Sequence, residues 1–166
     1  MKELHSEIEI AASAQRVWRI LTDFASYPRW NPFIRRISGE PTTGERLEVR
    51  LEPPDSRGIT LRPTVLRAEP TCELRWLGHL LVPGLFDGEH RLVIQPIAEN
   101  RVRFVQRETF KGLLVPLLAR SLDDSTRRGF EEMNRALKVR AEALPADTDP
   151  RTSGQSVRRS REDQER

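Results

Sequence analysis

Hydrophobic and polar residues alternate along most of the chain before residue 110, a pattern typical of β-strands with one buried face. At the start, Leu4, Ile8 and Ile10 share one side of the backbone and glutamates occupy the other, so residues 3–12 are predicted to form a strand. Further strands, separated by short Gly- or Pro-containing breaks, are predicted at residues 33–40, 45–52, 59–68, 72–80, 86–96 and 101–110. Short breaks favour antiparallel pairing of consecutive strands.

Two segments follow a helical period instead. Residues 116–144 carry apolar side chains at every third or fourth position and charges opposite, which predicts one long amphipathic helix. Its apolar stripe consists of Val115, Leu118, Ala119, Leu122, Thr126, Phe130, Met133, Leu137, Ala141 and Leu144. Ser13 is a favourable N-cap for a shorter helix, and the prolines in residues 27–33 predict a tight turn or a short distorted helix.

The order of these elements predicts the fold class. A strand, a helix, a turn, six strands and a long helix form an α+β pattern, in which a curled antiparallel sheet covers the long helix. Residues 1–144 are therefore predicted to be one domain. Residues 145–166 are polar and hold one sizeable aliphatic residue, Val157, so they are predicted to be a disordered tail that cannot offset the entropy of ordering.

Charge and cysteine usage narrow the function classes. The pI is 9.6, but the chain has 28 basic and 25 acidic residues, and the two signs of charge are interspersed along it. A nucleic-acid partner is therefore not expected. The single Cys72 excludes an internal disulfide, no apolar run approaches the ~18 residues of a membrane span, and the charged start does not resemble a signal peptide. A soluble cytoplasmic protein is expected.

Three polar side chains fall on strand faces that are otherwise apolar, namely His90, Gln106 and Glu108. An inward polar group costs about 1–3 kcal/mol unless it is paired. A structural hydrogen bond between His90 and Glu108 at the rim of the sheet is one interpretation. Direct contact with a bound ligand is the second, and an acid–base role for His90 and Glu108 in catalysis is the third.

Other chemical signals are few. Trp30, Phe33 and Trp76 are candidates for the wall or mouth of a cavity, although core packing is the simpler interpretation. The sequence holds no glycine-rich phosphate loop, no nucleophile elbow and no paired-histidine metal spacing. No cofactor and no metal ion are predicted.

Several stretches resemble the START-like or SRPBCC superfamily, specifically its bacterial polyketide cyclase/dehydrase-type branch. They are residues 10–18 (IAASAQRVW), 27–33 (YPRWNPF), 84–90 (GLFDGEH), 108–112 (ETFKG) and 130–138 (FEEMNRALK). The resemblance implies a helix-grip, Bet v 1-like fold, in which a seven-stranded antiparallel sheet wraps the C-terminal helix around a deep cavity. Members bind lipids, sterols, polyketides and other apolar molecules, and some catalyse aromatisation or cyclisation. The fold alone therefore does not decide the function.

The sequence favours a protein that binds a small hydrophobic ligand, such as a lipid, a polyketide or a related apolar metabolite, between sheet and helix. Two alternatives stay open. One is a cyclase or aromatase that moves protons with His90 and Glu108, and the other is an interaction or stress-related protein whose cavity has collapsed. The candidate ligand-binding residues are Trp30, Phe33, Trp76, His90, Phe104, Gln106, Glu108, Phe110, Leu122, Thr126 and Phe130.

Overall fold

The computed structural model describes residues 1–54, 57–80 and 82–143, without the side chains of residues 118–123. The side chain of the candidate ligand contact Leu122 is therefore not described, and the predicted tail 145–166 lies outside the described residues. The strands are β1 Lys2–Ile10, β2 Ile34–Ser38, β3 Glu48–Leu51, β4 Ile59–Leu61, β5 Thr64–Glu69, β6 Glu73–His79, β7 Asp87–Ala98 and β8 Arg101–Lys111. The α-helices are α1 Ala14–Thr22, α2 Tyr27–Trp30 and α3 Val115–Ala143.

The segment between β1 and β2 forms as its sequence predicts. The Ser13 hydroxyl accepts a hydrogen bond of 3.3 Å from the backbone N–H of Arg16, which caps α1. A 3-10 helix, Phe24–Ser26, precedes the proline-containing run, which begins with the single turn of α2. Tyr27 anchors this turn, because its buried hydroxyl donates to the Leu21 carbonyl at 2.8 Å.

The strands form two antiparallel sheets rather than one. The larger sheet has the order β1-β8-β7-β6-β5 and the smaller has the order β2-β3-β4. The predicted count of seven strands is wrong for the described residues, since the segment 59–68 divides into β4 and β5 on either side of Pro63. Proline has no N–H to donate to a ladder and interrupts a strand.

The two sheets remain connected where that strand divides. Arg46 forms an isolated bridge with Thr64, and the Leu47 N–H donates to the Pro63 carbonyl at 2.9 Å. The chain from β3 to β5 therefore bends from one sheet into the other and makes a curved surface. The α+β class and the grip of a curled antiparallel surface on a C-terminal helix are confirmed.

Helix α3 lies on the concave side of this surface and contributes much of the core. Of its predicted apolar stripe, the members whose side chains are described are buried, namely Val115, Thr126, Phe130, Met133, Leu137 and Ala141. Near its end, Lys138 Nζ donates to the Glu9 carbonyl at 2.8 Å, and the Ala11 N–H donates to Glu142 Oε1 at 2.8 Å. These bonds hold α3 along β1. In the described part of the chain, no helix is long and apolar enough to cross a membrane.

Candidate functional site

A cavity of about 150 Å³ lies between α3 and the two sheets. Strands β3 and β4 contribute Val49, Leu51, Ile59 and Leu61, and the helix contributes Thr126. The larger sheet contributes Trp76, His90, Glu108 and Phe110, and Phe33 lies at the start of β2. The lining is mostly apolar, with a small number of polar groups from β6, β7, β8 and α3, as is typical of small-molecule sites.

Two glycines make space on the wall formed by the larger sheet. Gly78 and Gly88 are paired in register across β6 and β7, and both line the cavity. A Cβ atom on Gly78 would lie 3.7 Å from Pro63 Cβ, an ordinary contact. A Cβ atom on Gly88 would lie 2.6 Å from Glu108 Oε1, which places that oxygen directly over Gly88. The Glu108 carboxyl therefore occupies room that only a glycine at position 88 leaves open.

A chain of buried hydrogen bonds runs behind the cavity wall from the sheet to the helix. Gln106 Nε2 donates to the Phe130 carbonyl at 3.2 Å and to Asn134 Oδ1 at 2.7 Å. Asn134 Nδ2 donates in turn to Ser6 Oγ at 3.0 Å. Gln106 and Asn134 are almost completely buried, so each bond replaces one that water would otherwise make.

His90 joins this chain to the cavity. A backbone carbonyl can only accept, so the amide nitrogen of Gln106 faces Phe130 and its oxygen faces His90 Nε2, at 3.1 Å. His90 Nε2 must therefore carry a hydrogen. The other ring nitrogen, Nδ1, lies 3.2 Å from Glu108 Oε2, which is the His90–Glu108 hydrogen bond considered from the sequence. The ring also stacks on Phe130 at 5.0 Å and meets the edge of Trp76 at 5.1 Å.

Burial decides the protonation of this pair. Desolvation lowers the pKa of His90 to about 4, although its hydrogen bond with Gln106 acts in the opposite direction. Desolvation, with a smaller contribution from the negative charge of Glu89, raises the pKa of Glu108 to about 8. At neutral pH the imidazole is therefore neutral, and the carboxyl keeps a proton that it donates to His90 Nδ1. A neutral carboxyl on a cavity wall can accept a hydrogen bond from a polar ligand on its second oxygen or take part in proton transfer.

The sequence-predicted site residues divide into three groups. Those that line the cavity are Phe33, Trp76, His90, Glu108, Phe110 and Thr126. Phe104, Gln106 and Phe130 are buried in the core or behind the cavity wall. Trp30 lies elsewhere, in a shallow external groove beside Val139 and Arg140, where α2 meets α3. The side chain of Leu122, as stated above, is not described.

Sequence reasoning missed parts of the site that depend on distant segments. Residues 45–52 and 59–68 were predicted as strands, but nothing local shows that the sheet curls far enough to bring Val49 or Ile59 to the cavity. Asn134 was also missed, although a polar residue four positions after Phe130 on a buried stripe is a usable signal. Gly129 was missed as well: a Cβ there would lie 2.2 Å from the ring of Phe33, so the helix needs glycine for that ring to pack.

Among the residues that the structure describes, no group of three or more His, Cys, Asp or Glu side chains could hold a metal ion.

The chain matches one protein family in sequence and several solved structures in fold. The sequence model of the family described as "Polyketide cyclase / dehydrase and lipid transport" matches residues 1–142. A START superfamily protein from Mycobacterium smegmatis is 21% identical, with a TM-score of 0.69 over 86% of this chain and 99% of its own. The Zhui aromatase/cyclase from Streptomyces sp. R1128 is 16% identical, with a TM-score of 0.66 over 85% of this chain and 93% of its own.

Norcoclaurine synthase from Thalictrum flavum, solved in complex with dopamine and hydroxybenzaldehyde, is also similar in structure. It is 13% identical, with a TM-score of 0.64 over 87% of this chain and 88% of its own. No curated protein matches the sequence of the chain. At these identities the solved structures share the fold with this chain, which does not determine the chemistry.

Proposed function

Because the chain belongs to the polyketide cyclase/dehydrase and lipid transport family, we propose that it binds a small, largely apolar molecule between its sheets and α3. The observation that supports this most directly is the cavity of about 150 Å³ with its mostly apolar lining. Burial of carbon surface would supply the affinity, at about 25 cal/mol per Å². The alternative considered from the sequence, an interaction or stress-related protein with a collapsed cavity, is less well supported because side chains do not fill this cavity.

The size of the cavity limits the ligand. Pockets for drug-sized molecules measure about 300–1,000 Å³, whereas an apolar cavity of about 150 Å³ in another protein accommodates benzene. The cavity of this protein therefore fits a single ring or a short branched chain without rearrangement. A longer lipid or polyketide would fit only in part, or would require α3 or the smaller sheet to move.

Binding can be tested by displacement of a fluorescent apolar probe from the purified full chain, with native mass spectrometry to detect a ligand retained from the host. The cavity-filling variant is Gly78→Val, whose side chain would extend into the cavity from a position with room for a Cβ. We expect probe binding in the unchanged protein and at least tenfold weaker binding in Gly78→Val, with the same circular dichroism spectrum. Failure of a broad panel of apolar molecules to bind would contradict the proposal.

A cyclase- or aromatase-type enzyme is the second candidate, and a specific observation favours it. The Glu108 carboxyl lines the cavity and is hydrogen-bonded to His90, so it could take a proton from a bound substrate on Oε1 while the proton on Oε2 passes to His90 Nδ1. Glu108→Gln keeps the shape and the hydrogen bond to His90 but has no acidic proton. An enzyme would lose turnover of a linear poly-β-ketone in this variant while retaining binding, and equal turnover would remove the hypothesis.

The compartment that we propose is the cytoplasm. Cys72 is half-buried and is a free thiol in the structure, which fits a reducing environment. Fractionation of the producing cell, followed by detection of the full chain, would test this location.

A further inference from the structure

The ligand class follows from the direction of the hydrogen bonds behind the cavity, if the cavity binds a ligand as proposed. The Phe130 carbonyl orients Gln106, Gln106 places the hydrogen of His90 on Nε2, and His90 Nδ1 is then left as an acceptor. Burial disfavours an imidazolium and a carboxylate here, so Glu108 Oε2 donates to that nitrogen. The one proton of the carboxyl is therefore committed to His90 and is not offered to a ligand.

The other oxygen of Glu108 faces the cavity as an acceptor. Glu108 Oε1 lies over Gly88, where a Cβ would approach it to 2.6 Å, and both residues line the cavity. A ligand that reaches this oxygen must bring a hydrogen of its own. A carbonyl group would instead face an oxygen lone pair, with no favourable bond to make there.

A second polar group, Thr126 of α3, lines the cavity. Helix α3 runs along β1 in the same direction, from Ser6 beside Asn134 to Glu9 beside Lys138, and therefore opposite to the antiparallel strand β8, where Gln106 bonds to the Phe130 carbonyl. Two residues onward along a strand is about 6.8 Å, and four residues back along a helix is about 6 Å. These steps bring Glu108 and Thr126 to the same level, and Thr126 also lines the cavity. Its hydroxyl can donate a hydrogen bond to a ligand oxygen.

We propose that the ligand is a neutral one-ring molecule with a hydroxyl group, a phenol or a cyclic alcohol, whose O–H donates to Glu108 Oε1 while its oxygen accepts from Thr126 Oγ1. The cavity of about 150 Å³ fits one ring, and its apolar walls bury the ring carbons. No lysine or arginine occurs among the described residues that line the cavity, and the lining residue His79 is already paired with Asp87 at 2.7 Å. A carboxylate of the same size would therefore be buried without a cation of its own and should not bind.

The test is a calorimetric titration of the full chain at pH 6 with phenol, toluene and benzoate. Phenol and toluene have the same number of heavy atoms and the same shape, so their affinity ratio isolates the hydroxyl group. We expect phenol to bind about fivefold or more tightly than toluene, because toluene would displace water from Glu108 and Thr126 without replacing its hydrogen bonds. Benzoate should show no binding.

Two variants locate the hydroxyl group. Thr126→Val keeps the shape of the side chain and should weaken phenol about fivefold while leaving toluene within about twofold. Glu108→Leu removes the acceptor and should weaken phenol about fivefold while leaving toluene within about twofold.

The outcomes separate this inference from the proposed function. Equal affinities for phenol and toluene, or a Thr126→Val variant that weakens both ligands alike, would overturn the hydroxyl assignment and leave the apolar binding function standing. A Glu108→Leu variant that keeps the preference for phenol over toluene would overturn it too, since the acceptor would then lie elsewhere. If neither phenol, toluene nor the larger apolar panel bound, the proposed function would fall, and the ligand class with it.

Discussion

The two faces of the larger sheet pair their polar side chains in opposite ways. On the outer face, Arg103 of β8 lies 3.6 Å from Glu9 and 4.0 Å from Glu7 of β1, and all three side chains are about half exposed. On the inner face of the same two strands, Gln106 and Ser6 belong to a chain of neutral groups that runs through Asn134. The outer groups are charged and exposed to solvent, whereas the inner groups are neutral and largely buried.

The difference shows where polar side chains contribute to stability. An exposed ion pair contributes about 0–1 kcal/mol, because water and salt screen it and two long side chains must be held in place. A buried neutral chain gains little per bond, but each donor or acceptor that loses its partner costs about 1–3 kcal/mol. The inner chain therefore opposes other placements of α3 on the sheet far more strongly than the outer ladder does.

The largest expected effect comes from removal of the centre of the inner chain. Gln106→Leu would leave His90 Nε2 and Asn134 Oδ1 without partners in a site that water does not reach, and we expect the free energy of unfolding to fall by about 3 kcal/mol. Urea denaturation at pH 6 would measure the change. A loss below about 1 kcal/mol would mean that the inner chain behaves like an exposed pair.

The second-largest expected effect is the pH dependence of stability, and its sign differs between the two faces. In the folded protein Glu108 keeps its proton up to about pH 8 rather than 4.5, and His90 loses its proton near pH 4 rather than 6.5. Between pH 4.5 and 6.5 the folded and unfolded chains each hold one proton on this pair, so it contributes no slope.

Above pH 6.5 the unfolded chain holds no proton on this pair and the folded chain still holds one, so stability should fall by about 2 kcal/mol up to pH 8. The matched control Glu108→Gln should show no such fall in denaturation curves. On the outer face, the hydrogen bond from His79 lowers the pKa of Asp87, so its contribution is present at neutral pH and is lost on acidification. A Glu108→Gln variant with an unchanged alkaline slope would contradict the assignment.

Alanine substitutions at the two glycines that line the cavity should have smaller effects on stability, and the two effects should differ. Gly88→Ala would push against Glu108 Oε1 and draw the carboxyl away from His90, with an expected loss of about 1 kcal/mol and a weaker fall in stability above neutral pH. Gly78→Ala is the matched control on the neighbouring strand, where the new methyl group makes only ordinary contacts. Its stability should be unchanged or slightly higher. Equal losses in both variants would show that the carboxyl does not sit over Gly88.

The smallest effect is expected on the outer face. Arg103→Gln removes the charge that faces Glu7 and Glu9, and the free energy of unfolding should change by less than about 0.5 kcal/mol at physiological salt. Thermal denaturation at low and high salt would measure it. A change as large as that of Gln106→Leu would erase the distinction between the two faces.

Local patterns were enough to predict most of the elements and one wall of the site. The period of two in β7 and β8 predicts that His90, Gln106 and Glu108 lie on the buried face, and the structure confirms that placement. The resemblance to the START-like group is confirmed by the family match over residues 1–142. The roles of these side chains toward a ligand remain predictions.

Other features could not be predicted because they depend on segments far apart in the chain. The break at Pro63 shows that a proline within an apparent strand can divide it and pass the chain from one sheet to another. Trp30 looked like a cavity residue because it is large and aromatic, but α2 turns it toward an external groove. Asn134 meets Gln106 only because α3 lies at one particular rotation on the sheet.

The amino-acid sequence by itself determined where strands and helices form and which side of each is buried, since these depend on the spacing of neighbouring residues and on local caps and breaks. The tertiary structure alone decided the volume of the cavity, the partners of Gln106 and the proton on Glu108. The physical reason is that desolvation and hydrogen-bond direction are set by every segment packed around a group, so they exist only once the sheet has curled around α3.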